Sequence, residues 1–290
     1  MSLSAAATAS GLMLISAVTH ALVGVIMKSR DDKLVFRGVL GLTSAVVVLP
    51  FVFFAAVPPA DVWVWLALGA ALHFAYQLSQ IAAFNRGDMS LVYPVMRGVA
   101  PALVALFAFF ILKESLSALA IIGLMIVTAC LIGFGWQRES TQKGGSAQKG
   151  WRAALLFAGL CGALTAGYTV IDAKGIRLFG DQLSYIVWFF LIDGLGVAII
   201  AAVFRRGKLV QALRAERLSG MAAGVLSLVS YGAALMALSL APAAKLAALR
   251  ETSIIFGAIF AVIWLKESFG VRRITLAFGL AFGLILMQMG

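Results

Sequence analysis

Two arginines stand where charge is expensive. Arg97 and Arg250 each lie about 10 Å into a long apolar run, at 1.5 Å of rise per residue. A charge at such depth in a bilayer costs from about 2.5 kcal/mol upward, which marks it first as functional. A guanidinium grips a carboxylate or phosphonate through a planar two-pronged fork. The pair are therefore candidate binders of an anionic or zwitterionic organic solute. Lys245 begins the same run as Arg250 and either joins them or snorkels to the interface. The competing reading is internal: Asp193, Glu251 or Asp172 neutralises each arginine and only locks helices together. Glu251 and Asp193 are also candidate coupling residues, because a carboxylate in low dielectric holds its proton more firmly than in water.

Neutral groups surround these charges in sequence. Tyr76 and Gln77 are candidate solute contacts, and His73, Gln77 and Gln80 share one helical face. Tyr231 is a further candidate from a distant run, with Tyr168 and His20 as isolated ones. For each of these, hydrogen bonding between helices is the plain alternative. Pro94 and Pro101 bracket Arg97, and each removes a backbone hydrogen bond. They are read as a hinge or a kink lining a cavity. Cys130 and Cys161 sit in apolar runs without metal spacing and read as small buried hydrophobes. The sequence holds no HExxH, P-loop or Gly-x-Ser-x-Gly pattern, so neither an enzyme nor a metal or cofactor is expected.

Elements able to hold such residues must be membrane helices. Of 290 residues, 62% are hydrophobic and only 12% charged, with a mean hydropathy of +1.03. A soluble domain carries roughly 25% charged residues, so lipid is the expected solvent. The net charge of +11 is spread between apolar runs and not gathered in a basic domain, which argues against a nucleic-acid partner. Residues Met1 to Ser10 lack the basic start of a cleavable signal. A span needs about 20 apolar residues. Ten such runs can be marked: Gly11–Met27, Leu34–Phe54, Trp63–Phe84, Ser90–Leu112, Leu116–Gly135, Arg152–Asp172, Ser184–Phe204, Ser219–Leu240, Ala243–Leu265 and Val271–Met289. Asp172 thus falls at a helix end. The polar stretch 136–150 reads as a flexible linker between residues 1–135 and 151–290.

The halves repeat. Leu112-Lys113-Glu114-Ser115 aligns with Leu265-Lys266-Glu267-Ser268, and in that register Arg97 falls on Arg250 and Phe107 on Phe260. Five spans per half give the second half the opposite orientation, which is the inverted-repeat plan of secondary transporters. The two arginines would then approach the bilayer midplane from opposite faces. Basic residues crowd the loops after spans one, three, five, seven and nine, and only Lys113, Lys174 and Arg177 fall on the other side. By the positive-inside rule the linker is cytoplasmic and both termini are outside. The pair Gly279 and Gly283 reads as close helix packing, within the monomer or at a homodimer seam.

Two stretches carry a family resemblance. They are RGDMSLVYPVMRGVAPALVALFAFFILKESLSALAIIG and LAPAAKLAALRETSIIFGAIFAVIWLKESFGVRRITLAFG. With ten spans in two halves, the chain resembles the EamA family of the drug/metabolite transporter superfamily. Its opening words also resemble members found alongside phosphonate-utilisation genes, and Lys245-x4-Arg250 is similar to a basic pair of the plastid phosphate translocators. The resemblance implies a multi-pass protein of the cell inner or plasma membrane that moves a small-molecule solute through a central cavity. It implies coupling to protons or to a counter-substrate. The usual family pattern has a basic loop after the second span and cytoplasmic termini. Here that loop, AAVPPADV, has no Lys or Arg. The expected function is a secondary transporter of an amino acid, phosphonate or similar metabolite, with spans 3, 4, 8 and 9 lining the cavity. An exporter of drugs or lipophilic cations, or a non-transporting scaffold or sensor, is the alternative.

Overall fold

A computed structural model of the chain describes every residue except 1–2, 29, 31, 87–88, 136–150, 206, 209, 212–216 and 266–270. The linker and the Lys266-Glu267-Ser268 junction lie outside the described residues. All regular structure among those described is helical. The order is α1 (Leu3–Lys28), α2 (Lys33–Val48) with a tight extension (Leu49–Phe53), α3 (Ala60–Phe84), and α4 (Met89–Phe107) with a widened last turn (Ala108–Leu112). There follow α5 (Ala118–Gly135), α6 (Trp151–Phe179), α7 (Gln182–Phe204), α8 (Arg217–Leu240), α9 (Ala243–Arg250), α10 (Ser253–Leu265) and α11 (Val271–Met289). Seven of the described helices are long and apolar enough to cross a bilayer: α1, α2, α3, α4, α6, α7 and α8. The apolar α5 and α11 are shorter.

Two boundaries differ from the sequence reading. The sixth run does not stop at Asp172, because α6 continues to Phe179. Arg177, counted above with the loop charges, lies in the last turn of α6 and is used within the fold. Its guanidinium donates to the carbonyls of Leu238 and Ala241, 2.8 Å each, and so satisfies orphan acceptors at the end of α8. The ninth run is not one helix but two. The Glu251 N–H turns back to the Ala248 carbonyl at 3.0 Å, and the Thr252 carbonyl then accepts from Ile255 and Phe256 to start α10.

Exposure is inverted relative to a soluble protein. Phe53 and Phe54 are 87% and 88% exposed, while Asp172, His73, Gln77, Gln80 and Glu251 are buried. In water that arrangement would discard hydrophobic stabilisation and desolvate charge for nothing. In lipid it is the expected one.

The helices fall into two compact units, each drawing on both halves of the sequence. The first holds Met1–Phe74, Ile171–Ala241 and Thr252–Glu267. In it α2 packs on α7 and α8, and α1 packs on α8 and α10. The α2–α7 contact is backbone to backbone. A Cβ built on Gly41 would stand 2.9 Å from the Gly194 carbonyl oxygen. Ser44 donates to the Gly224 carbonyl at 3.0 Å, and Ser230 to that of Ser16 at 3.0 Å, so buried hydroxyls tie α8 to α2 and α1.

The second unit holds Ala75–Val170, Pro242–Glu251 and Ser268–Gly290. There α5 packs on α11 and α4, and α9 packs on α4 and α11. Gly283 meets the Gly123 carbonyl oxygen, 2.9 Å from a built Cβ, and a Cβ on Gly279 would stand 2.7 Å from Cys130 Sγ. The Gly279/Gly283 pair therefore seals a contact within the chain. Just after the widened turn that follows α4, Glu114 Oε2 accepts the Ala243 N–H at 2.8 Å, which satisfies the first turn of α9. Lys113 beside it takes a left-handed conformation (φ 57°) and ends the preceding turn.

Candidate functional site

The second unit builds its site on α4 and the end of α9. Arg97, in mid-α4, donates from one guanidinium nitrogen to Glu251 Oε1 at 3.3 Å and Oε2 at 3.4 Å. The arginine side chain is 13% exposed and the glutamate side chain 5%. Arg250, the last residue of α9, lies within electrostatic reach of Glu251, and both arginines lie within reach of Tyr168 on α6. Arg97 and Arg250 thus both act on one carboxylate. Tyr76 stacks edge-on against Tyr168, centroids 5.6 Å apart, and accepts a hydrogen bond from Gln80 at 2.9 Å. Gln77 is buried one residue further along α3. A guanidinium paired to a carboxylate is a group that recognises carboxylates and phosphonates through charge-assisted hydrogen bonds.

Three other named residues lie on these two helices. Lys245 is five residues before Arg250 on α9, some 140° around the helix at about 100° per residue. That spacing does not bring the two onto one face. Helix α4 runs unbroken through Pro94 and Pro101. Pro101 has no N–H for the carbonyl four residues back, which is that of Arg97 itself.

The first unit has a separate polar cluster. Asp172, fully buried on α6, receives the Tyr231 hydroxyl at 2.5 Å on Oδ2. His73 Nε2 lies 3.0 Å from the same oxygen and 3.1 Å from the Tyr231 hydroxyl. Phe189 closes the site, its ring 5.1 Å from both the His73 and Tyr231 rings. Asp193, in the middle of α7, lies within electrostatic reach of His73, Asp172 and Arg37. The sequence reading named His73 and Tyr231 but did not join them, and it left Asp172 at a helix end. Three residues on α3, α6 and α8 share no spacing that would reveal the cluster. The available signal was weaker: each is a polar residue inside an apolar run.

A profile of the EamA-like transporter family matches residues 8–136 and again residues 151–289. The chain belongs to that family. A solved crystal structure 15% identical in sequence shares the fold, with a TM-score of 0.78 over 99% of this chain and 96% of that one. No curated protein sequence matches the chain. As an EamA-like transporter it is a multi-pass membrane protein.

Proposed function

We propose that this EamA-like protein is a secondary transporter of a small anionic or zwitterionic organic metabolite, with Arg97, Arg250 and Glu251 at its solute site. The observation that carries this reading is the Arg97–Glu251 pair with Arg250 beside it. The charged groups named there are two guanidiniums and one carboxylate, a balance that favours an anionic partner. A carboxylate or phosphonate of the solute competes with Glu251 for the Arg97 fork, and Tyr76 and Gln77 supply neutral contacts. An exporter of lipophilic cations would want the opposite surplus. Lys245 serves the approach to the site, and Glu251 and Asp193 are acids on the coupling path. Pro94 and Pro101 give α4 its hinge, since the Arg97 carbonyl is spared its helical partner.

The architecture that serves this function is ten spans in two inverted five-helix repeats, residues 1–135 and 151–290, with α9 and α10 together forming the ninth. The family profile matching once in each half supports it. Linker 136–150 is cytoplasmic and both termini are outside, in a cell inner membrane. A C-terminal fusion to a reporter active only outside the cytoplasm should give signal. Signal from a cytoplasm-only reporter instead would reverse the orientation.

The test of function is a thermal-shift panel of amino acids, phosphate esters and alkylphosphonates on purified protein. A ligand at 100 times its Kd stabilises the folded state by about 2.7 kcal/mol. Stabilisation by a panel member that is lost in Arg97→Gln and Arg250→Gln supports the proposal. Response to hydrophobic cations alone would overturn it.

A further inference from the structure

We propose that the His73–Asp172–Tyr231 cluster is the site that takes up the coupled proton, with Asp172 Oδ1 as the accepting atom. This deepens, and rests on, the transporter reading. With Asp172 ionised, the hydrogens between these three side chains follow from the contacts. The Tyr231 hydroxyl has one hydrogen, and at 2.5 Å it is given to Asp172 Oδ2. His73 Nε2 faces two oxygens, Asp172 Oδ2 and the Tyr231 hydroxyl. It must carry its hydrogen on that nitrogen, or two acceptors would confront each other. Both donors therefore converge on one carboxylate oxygen. The other, Oδ1, is buried and has no hydrogen-bond partner among the described residues.

An ionised carboxylate with half its acceptor capacity unmet is costly at full burial. One more proton relieves that cost. A hydronium O–H breaks, an Asp172 Oδ1–H bond forms, and the cluster loses one unit of negative charge while Tyr231 and His73 keep their hydrogens. Release on the other side of the membrane reverses the step. The atom has been given space. It lies against Gly69 on α3, where an added methyl group would collide with it. Among the described residues, Tyr185 and Asp193 on α7 interact electrostatically with Asp172, and Arg37 on α2 with Asp193. Asp193 lies within electrostatic reach of Asp172, and its own Oδ1 is likewise buried and unbonded among the described residues.

The experiment is an infrared titration of the purified full chain, which needs no solute. Moving from alkaline to acidic buffer should raise a protonated-carboxyl carbonyl band in the wild type that is missing in Asp172→Asn. Tyr231→Phe, which keeps the ring and removes one donor, should retain the band at a shifted frequency with a displaced midpoint. Should Asp172→Asn fail to fold, that shift in Tyr231→Phe carries the assignment. A wild-type spectrum without the band, or a band unchanged in both variants, overturns the proposal.

Coupling is read in proteoliposomes with L-glutamate and methylphosphonate as probes. Asp172→Asn should lose uptake driven by a pH gradient at least tenfold and keep counterflow exchange. Equal gradient-driven uptake in wild type and variant overturns the coupling role. If neither probe moves in the wild type, the solute reading fails for these probes, and the infrared result alone decides the proton site.

Discussion

Both compact units bury ionisable side chains, and they do so by opposite means. Around Arg97, charge is answered by charge: a guanidinium meets a carboxylate at 3.3 Å, with a second arginine in reach. Around Asp172 the carboxylate is answered by a phenol and an imidazole, and one of its oxygens is left unmet. An ion pair of the first kind is exchangeable, since any anion of similar shape can replace one partner. A cluster of the second kind is sensitive to a single hydrogen. The contrast teaches that burial by itself does not define a site's task. The kind of partner does.

The sharpest way to break this comparison is to strip the ion pair from one side and then from both. Glu251→Gln leaves Arg97 charged and unmatched by Glu251, and removing one partner of a buried pair costs about 3–5 kcal/mol. Its thermal midpoint should fall most of any variant considered. Arg97→Gln should nearly abolish transport while the protein still inserts. The double variant Arg97→Gln with Glu251→Gln should regain stability but not solute binding. Recovery of transport in the double variant would make the pair a helix lock and nothing more. Arg97→Lys keeps the charge without the fork and should bind markedly less, measured as a smaller ligand-induced thermal shift.

The next effect is on packing that both units share. Gly283→Ala and Gly41→Ala each drive a methyl into the backbone of the neighbouring helix. Each should destabilise by about 1–3 kcal/mol, read as loss of monodisperse protein on heating in detergent. If Gly283→Ala is silent while Gly41→Ala is not, the two interfaces are not equivalent.

The smallest effect concerns acids outside the membrane, which behave unlike either cluster. The Ser184 hydroxyl and amide hold the Asp181 carboxyl below the usual carboxylate range. For Asp32, burial pushes upward, but the Val35 amide and the Arg205 guanidinium at 2.9 Å outweigh it and its carboxyl is also lowered. A depressed folded value means stability present at neutral pH and lost as pH falls through that value. Asp181→Ala should cost about 0.5–2 kcal/mol through its lost N-cap, and should flatten the acid limb of a melting-temperature curve. An unchanged acid limb would show that the cap does not report on folding.

Much of this was legible in residue type and spacing. Apolar runs separated by short basic loops gave the helices, and the two arginines singled out by their depth in apolar runs, Arg97 and Arg250, both lie within reach of Glu251. Glu251 was one of three acids named as partners, and only geometry could choose it, because α4 and α9 are far apart in sequence. The break between α9 and α10 was hidden for a physical reason. Thr252 and Ser253 are tolerated inside a helix, and no Gly or Pro punctuates the chain there. The end of α6 was misplaced because Arg177 looked like an interface charge. A long basic side chain that hooks carbonyls of another helix cannot be told from one that reaches water. The Asp172 cluster was illegible as a set, since its three members sit on three helices and meet only through packing.

The broken ninth run also constrains how the chain enters a membrane. Helix α9 has eight residues and α10 has thirteen, about 12 and 20 Å long at 1.5 Å per residue. Neither spans a hydrocarbon core of about 30 Å by itself. In the ten-span architecture proposed above, the two enter as one segment, with Arg250 and Glu251 inside it. Each central charge carries an insertion penalty of about 2.5–3.5 kcal/mol, and each Ile, Leu or Phe returns about 0.3–0.6. The run of Ile, Phe and Leu in α10 goes some way to offset the charges, and helices already in the membrane must supply the rest. Arg97 is one such waiting partner, already made when Glu251 leaves the ribosome. Order of synthesis thus becomes part of the fold: α4 precedes the segment that needs it.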